Sequence, residues 1–250
     1  MNRYGYDWVL RNEIDIKMSR FSETRLSAWL QNIVSKRREE TGLYREIAEV
    51  LPLAKDIKLL DVGTGSGLQL KVIHEMESTV ELYGIDLSLE AIKIAERNLR
   101  EMKVDLRVES IEETSFDDKF FDIITRNASM SFWENLPGCF NEIYRILKPV
   151  GRAVLFEPRK NINVENALKI LRQNMAEECW LRQFAAVTLN RFALRRGRTI
   201  GLNLYQMEEI KSIAGQSRFR DSVSVKPVTL QDIPIFMKIV LQKPNRMPQD

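Results

Sequence analysis

Two acids and three glycines form the part of this chain whose spacing indicates chemistry most directly. From Leu59 the sequence reads Leu-Leu-Asp-Val-Gly-Thr-Gly-Ser-Gly, so an apolar run ends in Asp61 and glycines follow at alternate positions. Glycine lets the backbone turn tightly and leaves room for a ligand to lie against it. Asp86 follows one strand–helix unit later, where a carboxylate can accept hydrogen bonds from both hydroxyls of a ribose. These residues predict a nucleoside-containing ligand.

The elements that must position these residues alternate between strands and helices. Apolar runs that end at Asp61 and Asp86 predict two strands, and periodic apolar residues after each predict helices. The second helix is predicted from Ser88, a natural N-cap, to about Met102. A third block has a strand at 120–127, a helix at 136–147, a breaker at 148–151 and a strand at 152–157. A helix at 206–214 and two further strands, at 223–225 and 235–241, close the pattern.

Together these blocks resemble the class I S-adenosylmethionine-dependent methyltransferases, and among them the quinone-biosynthesis and other small-molecule methyltransferases. The glycine spacing separates them from dinucleotide-binding proteins, because Leu68 stands where the third glycine of G-x-G-x-x-G would fall. The resemblance is close over residues 56–158. It implies a doubly wound, Rossmann-like α/β fold with a mainly parallel seven-stranded sheet, an antiparallel final hairpin, a helical N-terminal extension and a helical cap insertion.

The resemblance also implies a cofactor, S-adenosylmethionine, and a set of residues that bind it. In the family, the acid at Asp86 binds the ribose and the apolar residue at Leu87 packs on the adenine. Ser110 stands where relatives carry an acid that accepts from the adenine amino group, and Glu109 could take over that contact. The predicted cofactor-binding residues are Asp61, Gly63, Thr64, Gly65, Asp86, Leu87, Ser110, Ile111 and Asn127.

The acceptor side of the site is less clearly marked. Candidates for acceptor contacts are aromatic residues near the start of the chain and polar or aromatic residues after the strand at 120–127. Each group could equally serve packing. They are Tyr4, Tyr6, Trp8, Ser129, Ser131 and Trp133. His74, the only histidine, falls on the helix after the glycines and is predicted to face away from the cleft. The catalytic base, the acceptor molecule and the acceptor atom therefore stay open.

Changes in pattern divide the chain into five segments. We predict a helical extension or lid at 1–52, a cofactor-binding core at 53–158, a helical cap insertion at 159–204, a C-terminal helix with closing strands at 205–244 and a tail at 245–250. The extension and the insertion are expected over the carboxyl ends of the strands, where ligands of open α/β sheets bind. Such a cover suits a small metabolite better than a polymer.

Composition narrows the class of protein. The chain has 44% hydrophobic and 29% charged residues, which is typical of a globular protein, and its start is charged, unlike a signal peptide. No apolar run approaches the ~18 residues of a membrane span. We therefore expect a cytoplasmic enzyme with no membrane partner. A net charge of +3 is too small to argue for nucleic acid by itself, so we expect nucleic acid to be an unlikely partner, and the sequence leaves the oligomeric state open.

Other chemistries fit the sequence poorly. One histidine and two widely separated cysteines do not supply a metal site, and no G-x-S-x-G elbow is present for a serine hydrolase. Two alternatives to a small-molecule methyltransferase remain. The first is an RNA or protein methyltransferase, and the second is a catalytically silent subunit that binds the cofactor as a scaffold.

The expected cover leads to a first prediction. Deleting residues 1–20 should leave the core folded, because the sheet and its flanking helices bury their own apolar faces. Methyl transfer should nevertheless fall sharply, since an open site admits water and holds the acceptor less well. Hydrogen exchange with and without the demethylated cofactor, together with activity, checks this. Full activity of the truncated chain and unchanged protection of residues 1–20 and 160–204 would contradict it.

Overall fold

A computed structural model describes residues 25–128, 130, 133–160, 165, 168–169, 173, 204–220 and 222–245 of the chain. Several sequence predictions fall outside these residues. They concern the aromatic residues Tyr4, Tyr6 and Trp8, the acceptor candidates Ser129 and Ser131, the lid segment 1–20 and most of the cap insertion.

The described elements alternate as the sequence predicts, with one helix pair in front and a strand hairpin at the end. The helices are α1 (Arg25–Glu40), α2 (Leu43–Glu49), α3 (Leu68–Met76), α4 (Leu89–Asn98), α5 (Leu136–Ile146) and α6 (Met207–Gly215). The strands are β1 (Lys58–Val62), β2 (Glu81–Asp86), β3 (Val104–Val108), β4 (Phe121–Asn127), β5 (Leu147–Pro158), β6 (Val223–Leu230) and β7 (Ile233–Gln242). None of the described helices is long and apolar enough to cross a membrane.

One sheet of seven strands organises the described residues, in the order β3-β2-β1-β4-β5-β7-β6. The strands from β3 to β5 pair in parallel, whereas β7 runs antiparallel to both β5 and β6. This confirms the predicted fold class, including the final hairpin at one edge. Strand order reverses between β1 and β4, so the carboxyl ends of these two strands flank the crevice in which open α/β sheets bind ligands.

Apolar residues on both faces of the sheet bury two clusters. Neighbours along β1 alternate between them: Leu60 packs with α5 and α6 on one face, and Leu59 packs with α2, α3 and α4 on the other. Ile124 and Ile123 of β4 divide in the same way. Strands that are covered on both faces are expected to be apolar throughout. The sheet is therefore a rigid support for the side chains at its carboxyl edge.

Several boundaries differ from the sequence prediction. The predicted helix from Ser88, α4, ends at Asn98 instead of reaching Met102. The predicted breaker at 148–151 lies within β5, whose pairing with β4 shifts register between Phe121 and Ile123. Val150 in this irregular stretch has a φ of 60°, a strained value for a β-branched residue. The closing strand β6 is longer than predicted because Pro227 is tolerated at a sheet edge.

Local chemistry explains where α4 begins. The Ser88 hydroxyl accepts a hydrogen bond of 3.2 Å from the backbone nitrogen of Ala91, which confirms the predicted N-cap. This bond satisfies one of the free N–H groups in the first turn. The start of α4 is thereby fixed directly after Asp86.

Gly67, the third glycine of the motif, serves helix packing. It has a φ of 76°, and a Cβ at this position would lie 2.7 Å from Leu99 Cδ1 and 3.1 Å from Ala95 Cβ. The first turn of α3 therefore packs on α4 only because the side chain is absent.

We predict that Gly67→Ala destabilises the fold by about 1–3 kcal/mol, because it combines a left-handed backbone with overpacking. Urea unfolding followed by circular dichroism measures the change. Gly42→Ala before α2 is the matched control, since Gly42 also has a positive φ, 78°, and a Cβ there meets nothing within 4 Å. Equal stability changes in the two variants would show that the contact with α4 is unimportant.

Candidate active site

A cavity of about 620 Å³ opens over the carboxyl ends of β1, β2 and β4. Its volume lies within the roughly 300–1,000 Å³ of small-molecule sites. All the predicted cofactor-binding residues line it, namely Asp61, Gly63, Thr64, Gly65, Asp86, Leu87, Ser110, Ile111 and Asn127, together with the acceptor candidate Trp133. His74 is not among its lining residues. The fold thus brings the sequence candidates together, and their binding roles stay a prediction.

The glycine turn is held against β2 by backbone and carboxylate hydrogen bonds. The backbone nitrogens of Gly63 and Thr64 both donate to the carbonyl oxygen of Ile85, at 2.8 and 3.0 Å. The nitrogen of Gly65 donates to Oδ2 of Asp86 at 3.0 Å. A Cβ at Gly65 would meet nothing within 4 Å, so this backbone has open space beside it. A ligand can therefore approach the turn closely.

Asp86 links the glycine turn to the start of α4. While Oδ2 accepts from the glycine turn, Oδ1 accepts at 2.9 Å from the backbone nitrogen of Ser88 at the start of α4. Burial raises the pKa of Asp86 above its ordinary value, and these two N–H groups and the charge of Arg126 oppose the rise. A carboxylate oxygen accepts more than one hydrogen bond. Asp86 can therefore hold the loop and still accept bonds from a ligand.

Asp61 lies deeper, at the end of β1, and is only 3% exposed. Burial raises the pKa of this carboxyl to about 7, with a further rise from Asp86 and opposing effects from the Thr64 hydroxyl and from Arg126. Because a buried charge without a close partner is costly, the group is neutral below about pH 7. A cation that entered the cavity would favour its ionised form.

Asn127 offers polar atoms that the described protein does not use. Its side-chain nitrogen and oxygen are both buried and have no hydrogen-bond partner among the described residues. Buried polar groups are normally satisfied, so an amide in this state on a cavity wall points to a ligand with both a donor and an acceptor. Behind it, Gln69 Nε2 donates to Thr125 Oγ1 at 3.2 Å and joins α3 to β4.

The segment after β3 differs from the family pattern as the sequence indicates. Ser110 Oγ accepts from the backbone nitrogen of Glu112 at 3.1 Å and keeps one further acceptor site. The Glu109 carboxylate accepts from both the backbone nitrogen and the hydroxyl of Ser115. A swing of Glu109 toward a ligand would break both bonds. Ser110 is therefore the better placed acceptor of the two.

Sequence reasoning missed a buried ion pair beside the cavity. Arg126 of β4 donates from Nε to Oε1 of Glu157 of β5 at 3.0 Å, and the two side chains are 2% and 5% exposed. The guanidinium carbon lies 4.1 Å from the centre of the Trp133 ring. Burial lowers the pKa of Arg126, and Glu157 opposes the change. Opposite charges inside two neighbouring apolar strands were the sequence signal for this pair.

The helical extension also contributes lining residues that the sequence did not single out. Val34, Ser35 and Arg38 of α1 and Tyr44 of α2 line the cavity. Lys71 of α3 donates to Glu39 of α1 at 2.7 Å, which fixes the helix over the core. Their positions depend on packing between distant parts of the chain, which single-sequence periodicity does not show.

Comparison with known proteins agrees with this geometry. Residues 60–155 match the methyltransferase domain family. A methyltransferase of Bacillus subtilis, YdaC, described as uncharacterised, is 30% identical over 129 residues, which are 51% of this chain and 71% of that protein.

The chain belongs to the class I S-adenosylmethionine-dependent methyltransferases. The ubiquinone/menaquinone biosynthesis C-methyltransferase UbiE of Geotalea daltonii is 30% identical to this methyltransferase over 105 residues, 40% of this chain and 45% of that protein. The match thus spans less than half of the quinone enzyme. The fold is shared with geranyl diphosphate C-methyltransferase from Streptomyces coelicolor, whose crystal structure contains Mg²⁺, geranyl diphosphate and S-adenosyl-L-homocysteine. The TM-score is 0.58, and the sequences are 17% identical over 86% of this chain and 82% of that one.

The cavity fits the methyl donor of this family, S-adenosylmethionine. The donor carries a sulfonium and an amino acid, and the cavity offers carboxylates, an open glycine backbone and the unpartnered amide of Asn127. Carboxylates suit a cationic ligand, and an amide can meet both ends of an amino acid. The residues present therefore match the chemistry of the group.

The raised pKa of Asp61 gives a stability prediction with a definite sign. Because this carboxyl ionises near pH 4 in the unfolded chain but only near pH 7 in the fold, its contribution should lower the free energy of unfolding by roughly 4 kcal/mol as pH rises from about 4 to about 7. Asp61→Asn cannot ionise. Its stability relative to wild type should therefore grow by roughly 2–3 kcal/mol between pH 5 and pH 8 in urea unfolding. The exposed Asp117→Asn is the control, and a parallel pH dependence of both variants would contradict the assignment.

Proposed function

We propose that this methyltransferase transfers a methyl group from S-adenosylmethionine to a small-molecule acceptor inside the cavity. The observation that carries the proposal is the enclosed floor of the cavity, where Asp61 and the Asn127 amide are buried yet have room for a ligand beside them. Similar proteins support a small acceptor, since the relative from Geotalea is named for quinone biosynthesis and the Streptomyces structure contains geranyl diphosphate. The acceptor itself is not specified by these likenesses.

The family resemblance suggests roles for the residues on the cofactor side, and the positions of their side chains support them. We assign Asp86 to the ribose hydroxyls, Leu87 to the adenine face and Ser110 to the adenine amino group. Leu87 is 58% exposed, which leaves an apolar surface for a flat ring. Asp61 and Asn127, at the ends of β1 and β4, are assigned to the amino acid end of the donor.

The chemistry needs positioning more than side-chain catalysis. S-adenosylmethionine supplies a methyl group that is already activated on a sulfonium. The protein's part is to hold donor and acceptor in line, which can contribute about 7–11 kcal/mol to lowering the barrier. The two carboxylates favour a cationic donor over its neutral product, and burial of the site excludes water. A reaction that depends on positioning needs no general base, and no histidine is found among the described residues that line the cavity.

The segments that would complete the site are part of the proposal. We infer that residues 1–52 and 159–204 cover the acceptor side, and that residues 53–158 and 205–244 form the core with its closing strands. A modest net charge and a cavity of small-molecule size favour a free metabolite in the cytoplasm over nucleic acid. An RNA or protein methyltransferase and a silent cofactor-binding subunit remain the alternatives.

Calorimetry and a transfer assay test the proposal. The protein should bind S-adenosylmethionine and S-adenosylhomocysteine but not NADH, and should label some members of a panel of small acceptors when given a radioactive methyl donor. Binding of NADH without binding of S-adenosylhomocysteine would refute the cofactor site. Tight donor binding with no labelled acceptor would favour the silent subunit, and labelling of RNA or protein alone would favour a macromolecular acceptor.

Asp86→Asn is the sharpest variant for this site. It removes the charge that would accept bonds from the ribose, so S-adenosylhomocysteine affinity should fall by roughly 1.5–3 kcal/mol, or about 10- to 100-fold. Asp105→Asn is the matched control, because Asp105 is a paired acid on the next strand, β3, outside the cavity lining. An affinity loss of the same size in the control would remove the case for a specific ribose contact.

A further inference from the structure

Arg126 places a buried guanidinium in the cavity wall. The residue is 2% exposed and lines the cavity. Its described hydrogen bond runs from Nε to Glu157. A guanidinium has five N–H groups, and this bond uses one of them.

The neighbours of Arg126 hold the guanidinium in one orientation. Glu157 accepts from Nε and also accepts at 2.8 Å from the backbone nitrogen of Met130, which ties the residues after β4 to β5. Trp133 lies against the guanidinium plane. Glu157 thus occupies Nε and offsets part of the charge of Arg126, and the planar fork of Nη1 and Nη2 is the remaining hydrogen-bonding end of the guanidinium. The planar fork of the two terminal nitrogens matches the two oxygens of a carboxylate.

We propose that Arg126 is an acceptor-binding residue and that the acceptor is a small molecule with an ionised oxygen, such as a carboxylate, which receives hydrogen bonds from Nη1 and Nη2. This inference rests on the proposed function. Asp61 and Asp86 stand on β1 and β2, whereas the guanidinium of Arg126 stands on β4 beside β5. The first pair suits the cationic donor, and the second suits an anion.

An anionic acceptor also fits the absence of a histidine from the described lining. An acceptor that binds already ionised has lost its proton to water, so no base is needed in the cavity. The ionised oxygen of the acceptor is itself the nucleophile: it forms a bond to the methyl carbon as the carbon–sulfur bond breaks, the bonding electron pair stays on sulfur, and no proton is released. The positive charge of Arg126 holds the acceptor and does not take part in proton transfer.

The test uses the full chain saturated with S-adenosylhomocysteine and two probes of the same shape, benzoate and benzamide. Titration calorimetry gives the affinities, and the indole N–H signal of Trp133, assigned with Trp133→Phe, reports binding beside the guanidinium. Benzoate should shift this signal and bind at least about tenfold more tightly than benzamide, because charge-assisted bonds form only to the carboxylate. Equal affinities, or no binding of benzoate, would overturn the proposal.

Two arginine variants separate recognition from structure. Arg126→Lys keeps the charge but loses the planar fork, so the preference for benzoate should drop about tenfold. Arg145→Lys alters an ion-paired arginine outside the cavity and should leave the preference unchanged. A preference that survives Arg126→Lys in a folded protein would make the buried pair purely structural and would overturn the proposal.

The donor's own carboxylate is the other possible source of an anion. S-adenosylhomocysteine and its decarboxylated analogue should lose affinity equally, if at all, in Arg126→Lys. A loss confined to the carboxylate-bearing compound would assign Arg126 to the donor and overturn the acceptor role. Failure of wild-type protein to bind S-adenosylhomocysteine would instead refute the proposed function itself, so the two failures are distinguishable.

Discussion

Burial of charge at one edge of the sheet is the constraint on which the rest of this structure depends. Asp61, Asp86, Arg126 and Glu157 come from four different strands and are all largely removed from water. Groups of this kind are stable only when partners or hydrogen bonds offset their desolvation. Arg126 and Glu157 satisfy each other in part, whereas Asp61 stays unstable as an anion near neutral pH.

The surrounding architecture keeps these groups in place at a cost in stability. Both faces of the sheet are packed by helices, the glycine turn is bonded to β2, and Gly67 lets α3 pack against α4. A rigid frame of this kind can hold polar atoms that have no partner in the protein. The raised pKa of Asp61 and the unpartnered amide of Asn127 then have a common explanation, namely a site prepared for a charged ligand.

Local patterns in the sequence predicted much of this arrangement. The glycine turn, the N-cap at Ser88 and the order of strands and helices are encoded by neighbouring residues, and the structure agrees with them. The missed features depend on distant contacts. Arg126 is buried because Glu157 lies on the adjacent strand, and Arg38 reaches the cavity because α1 packs on the core. The predictions for the end of α4 and for the start of β5 were wrong, because tertiary packing overrides the periodicity of the sequence at both places.

Proton release on donor binding tests the central claim most directly. Calorimetric titration with S-adenosylmethionine at about pH 6, in buffers of different ionisation enthalpy, counts the protons exchanged, and at this pH the donor's amino group is already protonated. If the cation draws Asp61 into its ionised form, close to one proton should leave per donor bound, and Asp61→Asn should release none. Binding with no buffer dependence, or equal release by the variant, would contradict an acidic floor built for this ligand.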